Sequence, residues 1–419
     1  MGGGAARSEA EGVSSRPLRS LAQRPVGERR RARFHALPVA EVRPLTADAV
    51  EVSFVVPDEL RDEYEYLPGQ YVALRATVDG KELRRSYSLC RAPSMWAGAA
   101  AGPSTGSGVG DGGRLSVAIK RDIGGRFSRW AQTELRPGDT IDVMSPQGTF
   151  TLQRDELDGA RIAAIAAGSG ITPVMALAST VLACSDTAAF TLVYTNRSTI
   201  DVMFLEDLAD LKDRYPTRFA LHHVLSREQR SAPLLSGRLD GDRLRRILDA
   251  LVLPETIDEW FLCGPIELVK LCRDTLAEFG VPRERIRHEL FTSVTTGATG
   301  ATGDVGGAAP GTDAPQRPPA SRPDGPVTTI DLTLDGHSTR VLSPVDAHES
   351  ILDAALRVRP DAPFACAGGV CGTCRARLVS GSVQMTENYA LEPEELAAGY
   401  VLTCQSHPTS PEISVDYDV

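Results

Sequence analysis

Between Phe34 and Arg154 apolar side chains recur at alternate positions. Val50, Val52, Phe54 and Val56 interleave with Glu51, Ser53 and Val55, and Leu115, Val117 and Ile119 with Ser116, Ala118 and Lys120. A period of two marks strands that bury one face, so residues 34–154 predict an antiparallel barrel or sandwich. A run rich in Gly, Ala and Ser from Ala97 to Gly113 breaks the alternation and predicts a loop insertion.

The pattern changes at Arg161. Ile162 to Ala167 is apolar without alternation, as in a strand covered on both faces, and ends in Gly168-Ser169-Gly170. Thr172 then reads as a helix N-cap and Pro173 as a first helical residue. Further strands are predicted at Phe190–Thr195, Phe219–Leu225, Glu259–Cys263 and Ile286–Phe291, with helices at Phe204–Arg214, Asp242–Leu251 and Ile266–Phe279 between them. Strands alternating with helices predict a parallel sheet with crossover connections over residues 155–291.

Residues 1–33 and 292–327 have no apolar period; they are predicted to be a disordered tail and a disordered linker, the latter of Gly, Thr, Ala, Pro and Asp. A separate domain is predicted over 328–419, opening with Ile330, Leu332 and Leu334, turning at Asp335-Gly336 and carrying a short helix near Ser350 to Arg357. A chain of 419 residues is long enough for several such units.

Its formal net charge of -10 argues against nucleic acid as a partner, since that binding needs a positive surface. No apolar stretch reaches the length of a membrane helix and no secretion signal is visible, so the expected location is the cytoplasm, away from the membrane.

The strongest chemical signal is Cys366-x4-Cys371-x2-Cys374 followed, after 29 intervening residues, by Cys404. That is the spacing of a plant-type [2Fe–2S] site, in which four thiolates hold two irons. Structural zinc usually pairs its ligands as two short C-x-x-C units, and only one is present. Gly368, Gly369 and Gly372 let backbone N–H groups approach the sulfides. Cys90, Cys184 and Cys272 read as small buried hydrophobes.

Two runs in the first domain suit a flavin dinucleotide. Arg85-Ser86-Tyr87-Ser88 offers a guanidinium for phosphate and a ring for stacking, and Gly125-Arg126-Phe127-Ser128 offers N–H donors at a helix start. In the second domain Gly168, Gly170 and Thr172, then Asn196-Arg197, Ser226-Arg227 and Cys263-Gly264-Pro265 follow successive strands, at the rim where open parallel sheets bind ligands. A hydroxyl and a guanidinium at Ser226-Arg227 suit the 2′-phosphate of NADPH.

In these runs the chain resembles the ferredoxin–NADP reductase superfamily, fused to a plant-type ferredoxin domain as in the reductase components of bacterial multicomponent oxygenases. The resemblance implies a multidomain fold: an antiparallel β-barrel for FAD, an α/β parallel-sheet domain for NADP, and a C-terminal β-grasp ferredoxin domain. It gives Arg85 to the FAD phosphates, Tyr87 to the flavin ring and Ser88 to the vicinity of N5. It matches Cys263-Gly264-Pro265, Glu289 and Phe291 to the nicotinamide strip, with Ser88, Cys263 and Glu289 positioning nicotinamide C4 against the flavin. The implied activity is an NADPH-dependent relay through FAD and [2Fe–2S] to an oxygenase partner, expected to be a di-iron one. Two alternatives stay open: a reductase serving a Rieske-type or steroid hydroxylase, and a redox sensor with little turnover.

Overall fold

The structure is a computed structural model that describes residues 33–93, 113–154, 156–291, 326–359, 362–364, 368–369, 372–388, 390–391 and 393–418. The predicted tail and linker lie almost wholly outside these residues, as does the predicted loop insertion apart from Gly113. Arg33, the last residue assigned to the tail, is already tied to the fold, exchanging backbone and side-chain bonds with Ser145.

The first unit is a six-stranded antiparallel sheet of β1 (Phe34–Thr46), β2 (Ala49–Val55), β3 (Tyr71–Val78), β4 (Lys81–Ser88), β5 (Arg114–Lys120) and β6 (Thr140–Met144), in the order β4-β3-β6-β1-β2-β5. A bridge between Leu89 and Val117 joins the end of β4 to β5 and brings the two edges together. The inward positions, among them Val52, Phe54, Val72, Leu74, Val117 and Val143, form one core. Helix α1 (Arg126–Thr133) adds Phe127 and Ala131 to it.

The second unit is a parallel sheet of β7 (Arg161–Ala167), β8 (Ala189–Asn196), β9 (Phe219–Leu225), β10 (Glu259–Gly264) and β11 (Ile286–Leu290), ordered β11-β10-β7-β8-β9. Helices α2 (Ile171–Cys184), α3 (Leu205–Arg214), α4 (Gly241–Ile247) and α5 (Ile266–Glu278) connect its strands. Two separate cores lie against it, one taking Ile162, Ala164 and Ala166 of β7 and the other Ala163 and Ile165. A strand sandwiched in this way has no polar face, which is why β7 does not alternate. Strand β8 follows β7 on one side while β10 returns to the other, so the carboxyl end of β7 is the switch point of the sheet.

One detail differs from expectation. The N-cap of α2 is Gly170, not Thr172, because Gly168–Gly170 makes a 3-10 turn that runs straight into the helix. Thr172 lies in the first turn, where its hydroxyl donates to Ser169 O at 3.0 Å. Pro173 follows it, still among the first N–H positions that lack an intrahelical acceptor.

The third unit pairs β12 (Val327–Leu334), β13 (His337–Pro344), β14 (Arg375–Ser380), β16 (Tyr400–Leu402) and β18 (Glu412–Asp416) in the order β13-β12-β18-β14-β16, with β15 (Val383–Met385) and β17 (Ser406–Pro408) as a separate ribbon. Strand β12 begins at Val327, a residue whose neighbours in sequence suggest linker, because it pairs with Pro344. Helix α6 (Ile351–Val358) covers the sheet and starts at a reciprocal cap between Ser350 and Asp353.

Candidate functional site

Barrel and parallel sheet meet at the end of β4. There Ser88 Oγ, 3% exposed as a residue, donates to Glu289 Oε2 at 3.0 Å across 201 residues of sequence. Glu289 sits in β11 directly opposite Cys263 in β10, and Cys263 in turn lies opposite Ala166 in β7. Parallel register thus gathers the expected residues at the carboxyl ends of three strands. Burial, and after it the Glu289 charge, pushes the Cys263 thiol well above its ordinary pKa, so it stays protonated and is no nucleophile. Phe291 closes the strip, its N–H bonded to Gly264 O at 2.9 Å, and Pro265 stands at the start of α5.

The glycines here are dictated by contact. A Cβ on Gly170 would lie 2.3 Å from Cys263 O, and Gly264 has φ +152° with Ala167 Cβ only 3.2 Å from where its own Cβ would be. The ends of β7 and β10 can therefore approach each other only without side chains.

Beside this rim opens a cleft of about 230 Å³ lined by Gly168, Asn196, Arg197, Ser226, Arg238 and, from the barrel, Lys120. Three cations and a hydroxyl around one cleft make a donor set suited to the phosphates of a nucleotide. Arg197 is balanced by Asp201 at 2.7 Å and Asp48 at 3.8 Å, and Lys120 by Asp48 at 3.7 Å. Exposed Arg238 has no ion-pair partner among the described residues. Ser226 lines the cleft as expected, but Arg227 does not: it stands exposed, with its backbone N–H on Arg197 O at 2.7 Å. Lys120 and Arg238 belong to no motif, and nothing in the sequence alone marks them for this cleft.

The two runs expected to hold flavin also come together. Tyr87 packs on Phe127 with ring centroids 5.9 Å apart. Gly124 has φ +78°, and a Cβ on Gly125 would lie 2.6 Å from Ser128 Oγ. The turn is tightened further by Ser128 Oγ accepting from Asp122 N at 3.1 Å. Burial raises the Asp122 carboxyl, and the Arg85 charge opposes that rise, which brings Arg85 into the field of the same turn. Arg126 hydrogen-bonds Asp79 at 3.2 Å. A guanidinium, a helix N-terminus and glycines that leave the backbone bare fit a pyrophosphate.

In the third unit Cys374 and Cys404, 2% and 8% exposed, lie at the end of the β14–β16 ladder. Thr403, next to Cys404, holds Cys374 O with both its N–H (3.1 Å) and its hydroxyl (2.9 Å). Cys366 and Cys371 lie outside the described residues. Two buried cysteines whose backbones are tied together in this way, beside Gly369 and Gly372 with φ of +76° and +66°, fit a cluster site. Of the other cysteines Cys90 and Cys272 are fully buried and Cys184 partly so.

Comparison with known proteins follows the same division. Residues 164–274 match the oxidoreductase NAD-binding domain family and residues 333–409 the 2Fe-2S iron–sulfur cluster binding domain family. The chain is 41% identical over 385 residues to a subunit of 1,2-phenylacetyl-CoA epoxidase from Escherichia coli K12, covering 92% of this chain and 98% of that one. The chain belongs to the reductase components of multicomponent oxygenases. The reductase is also 34% identical to the ferredoxin reductase component of 3-ketosteroid-9-alpha-monooxygenase from Mycolicibacterium smegmatis, over 91% of its length and 96% of that protein. Its fold is similar to phthalate dioxygenase reductase (TM-score 0.51, 22% identity, 91% and 98% covered). The two family matches give a [2Fe–2S] cluster to the third unit and a nicotinamide dinucleotide to the second. Among the described residues no helix is long and apolar enough to cross a membrane.

Proposed function

We propose that the reductase is the electron-supplying component of a phenylacetyl-CoA epoxidase, drawing on NADPH and delivering electrons to a di-iron oxygenase. The observation that carries this reading is the 41% identity spread over 98% of the epoxidase protein, which includes all three units. FAD, when bound, takes two electrons as a hydride and gives them up singly, matching a two-electron donor to a one-electron cluster. The protein's part is placement. Arg85 and the glycine turn before α1 would hold the FAD phosphates, and Tyr87 would offer its ring to the flavin. Ser88 and Glu289, joined at 3.0 Å, would fix the point where nicotinamide and flavin meet, with Cys263 beside Glu289 on the next strand. Ser226, Arg238 and Arg197 take the 2′-phosphate, which supports NADPH over NADH. Cys366, Cys371, Cys374 and Cys404 ligate the cluster. Dependence on the NADPH pool supports a cytoplasmic location.

The decisive experiment mixes the purified reductase and NADPH with the oxygenase components of a phenylacetyl-CoA epoxidase, and in parallel with those of a 3-ketosteroid hydroxylase. Epoxide formation in the first mixture alone is expected. Turnover in the second alone moves the assignment to steroid hydroxylation.

A further inference from the structure

The outer face of the β3–β4 ribbon is covered, although a barrel strand at this position would ordinarily face water. Tyr71, Ala73 and Arg75 stand directly opposite Ser88, Ser86 and Arg84. The intervening Val72, Leu74 and Leu83 point into the barrel core, so these six share the outward face. Yet Tyr71 is 4% exposed, Ala73 0% and Arg84 8%, and Ser86 Oγ is buried without a hydrogen-bond partner.

Two contacts from the third unit reach this face. Tyr71 Oη and Thr373 Oγ1 share a hydrogen bond of 2.6 Å, and the Arg84 guanidinium lies 4.5 Å over the Phe364 ring. Arg84 is held from its other neighbour as well, 5.3 Å from the Phe34 ring. In sequence, Phe364 and Thr373 stand on either side of Cys366 and Cys371, and Thr373 immediately precedes Cys374. The cysteine loop is therefore fastened at both its ends to the strand pair that carries Ser88.

Tyr71 is built for that duty. Its backbone exchanges two hydrogen bonds of 2.9 Å with Gln147. Its ring lies against Gly148, where a Cβ would come within 2.9 Å of Cδ1 and the φ of +111° also demands glycine. The phenol is thus fixed in direction before it meets Thr373, while its backbone faces Ser88 across the ladder.

We infer that Tyr71 is a positioning residue for electron transfer from flavin to cluster: its hydroxyl on Thr373, with Arg84 on Phe364 as a second clasp, seats the cysteine loop beside the flavin site. This rests on the proposed placement of flavin at Ser88 and cluster at the four cysteines. In the step it serves, one electron leaves the reduced flavin and one arrives at the cluster; Tyr71 and Thr373 change no bond and carry no charge. Hydride delivery from NADPH is assigned to Ser88, Glu289 and Cys263 and does not involve them.

The test uses the full-length holoprotein with Tyr71→Phe, which keeps the ring and deletes the hydroxyl, and Thr373→Val as an independent variant. Rapid mixing with NADPH follows the flavin and cluster spectra separately, and amide hydrogen exchange follows residues 372–376 without turnover. Flavin bleaching should stay within about twofold of wild type while cluster reduction slows roughly tenfold or more, the scale on which small misplacements act. Exchange over 372–376 should quicken in both variants. Wild-type rates of cluster reduction in both variants would overturn the inference, whatever the exchange data show. If the wild-type cluster never receives electrons from NADPH-reduced flavin, the relay reading itself fails and the inference with it.

Discussion

Ser88 and Glu289 arrive from different sheets and meet through a single hydrogen bond, so each depends on the other for its direction. Replacing Ser88 by Ala should slow flavin reduction by NADPH about 10- to 100-fold with little change in KM, because the loss is in alignment and not in nucleotide binding. Single-turnover mixing measures it. In the phosphate cleft, Arg238→Ala should raise KM for NADPH by about tenfold or more, as expected for one charge-assisted hydrogen bond, and leave NADH nearly unaffected. Arg227→Ala should do less, since its side chain is not part of the lining. Steady-state kinetics with both nucleotides separates the two arginines. Motif reasoning reached Ser226 because it stands in a recognisable run. It could not reach Lys120, which enters from the barrel, nor Arg238, whose relevance comes only from where the chain leads after β9.

At the scale of elements, β2 teaches the limit of alternation. The period of two puts Glu51 on the face away from the barrel core, as an edge toward water would have it, yet Glu51 is 4% exposed. Helix α3 explains this, since Asp207 on it joins Arg43, Arg91 and Glu51 in one network with distances of 2.5–3.0 Å. Periodicity tells which positions lie opposite the core, but not whether a second unit covers them. Removing the carboxylate leaves two cations facing each other across a buried gap. Glu51→Ala should therefore cost about 2–3 kcal/mol, less than the roughly 3–5 of a fully buried pair because both arginines keep a third of their surface in water. Urea denaturation measures it.

The same network sets an acid limit. Burial by itself would raise the Glu51 and Asp207 carboxyls, but Arg91 and then Arg43 more than offset it and hold both below their ordinary values. A carboxyl with a lowered folded pKa contributes its full stability above the unfolded value, and the contribution is lost as pH falls through the folded one. The urea midpoint should thus be insensitive to these groups above about pH 5 and fall below about pH 4. In Glu51→Ala that acid-side fall should be shallower.

For the whole molecule, the order of three units, the parallel sheet and the cysteine loop were all readable, because each is written locally as a period, a turn residue or a ligand spacing. Gly168-Ser169-Gly170 marked the ligand-binding rim of the sheet before its strand order was known. What the chain does not spell out is how its units address one another. Tyr71 looks like any strand aromatic and Thr373 like any small loop residue, and they meet across a sequence separation of 302. The misplaced N-cap at Thr172 has a similar cause: a 3-10 turn consumed the residues that would have led up to it.

The arginine–carboxylate network also bears on how freely such proteins can trade parts. It holds two positive and two negative side chains, and only when barrel and parallel sheet are both present do these cancel. A barrel from this chain joined to a nucleotide-binding unit from a relative would keep both arginines and Glu51 but inherit whatever residue that relative carries at the place of Asp207. Without an acid there, the hybrid would bury an excess positive charge at its seam. Shuffling between family members is therefore constrained by a matched pair of surfaces as much as by the cofactors each unit brings.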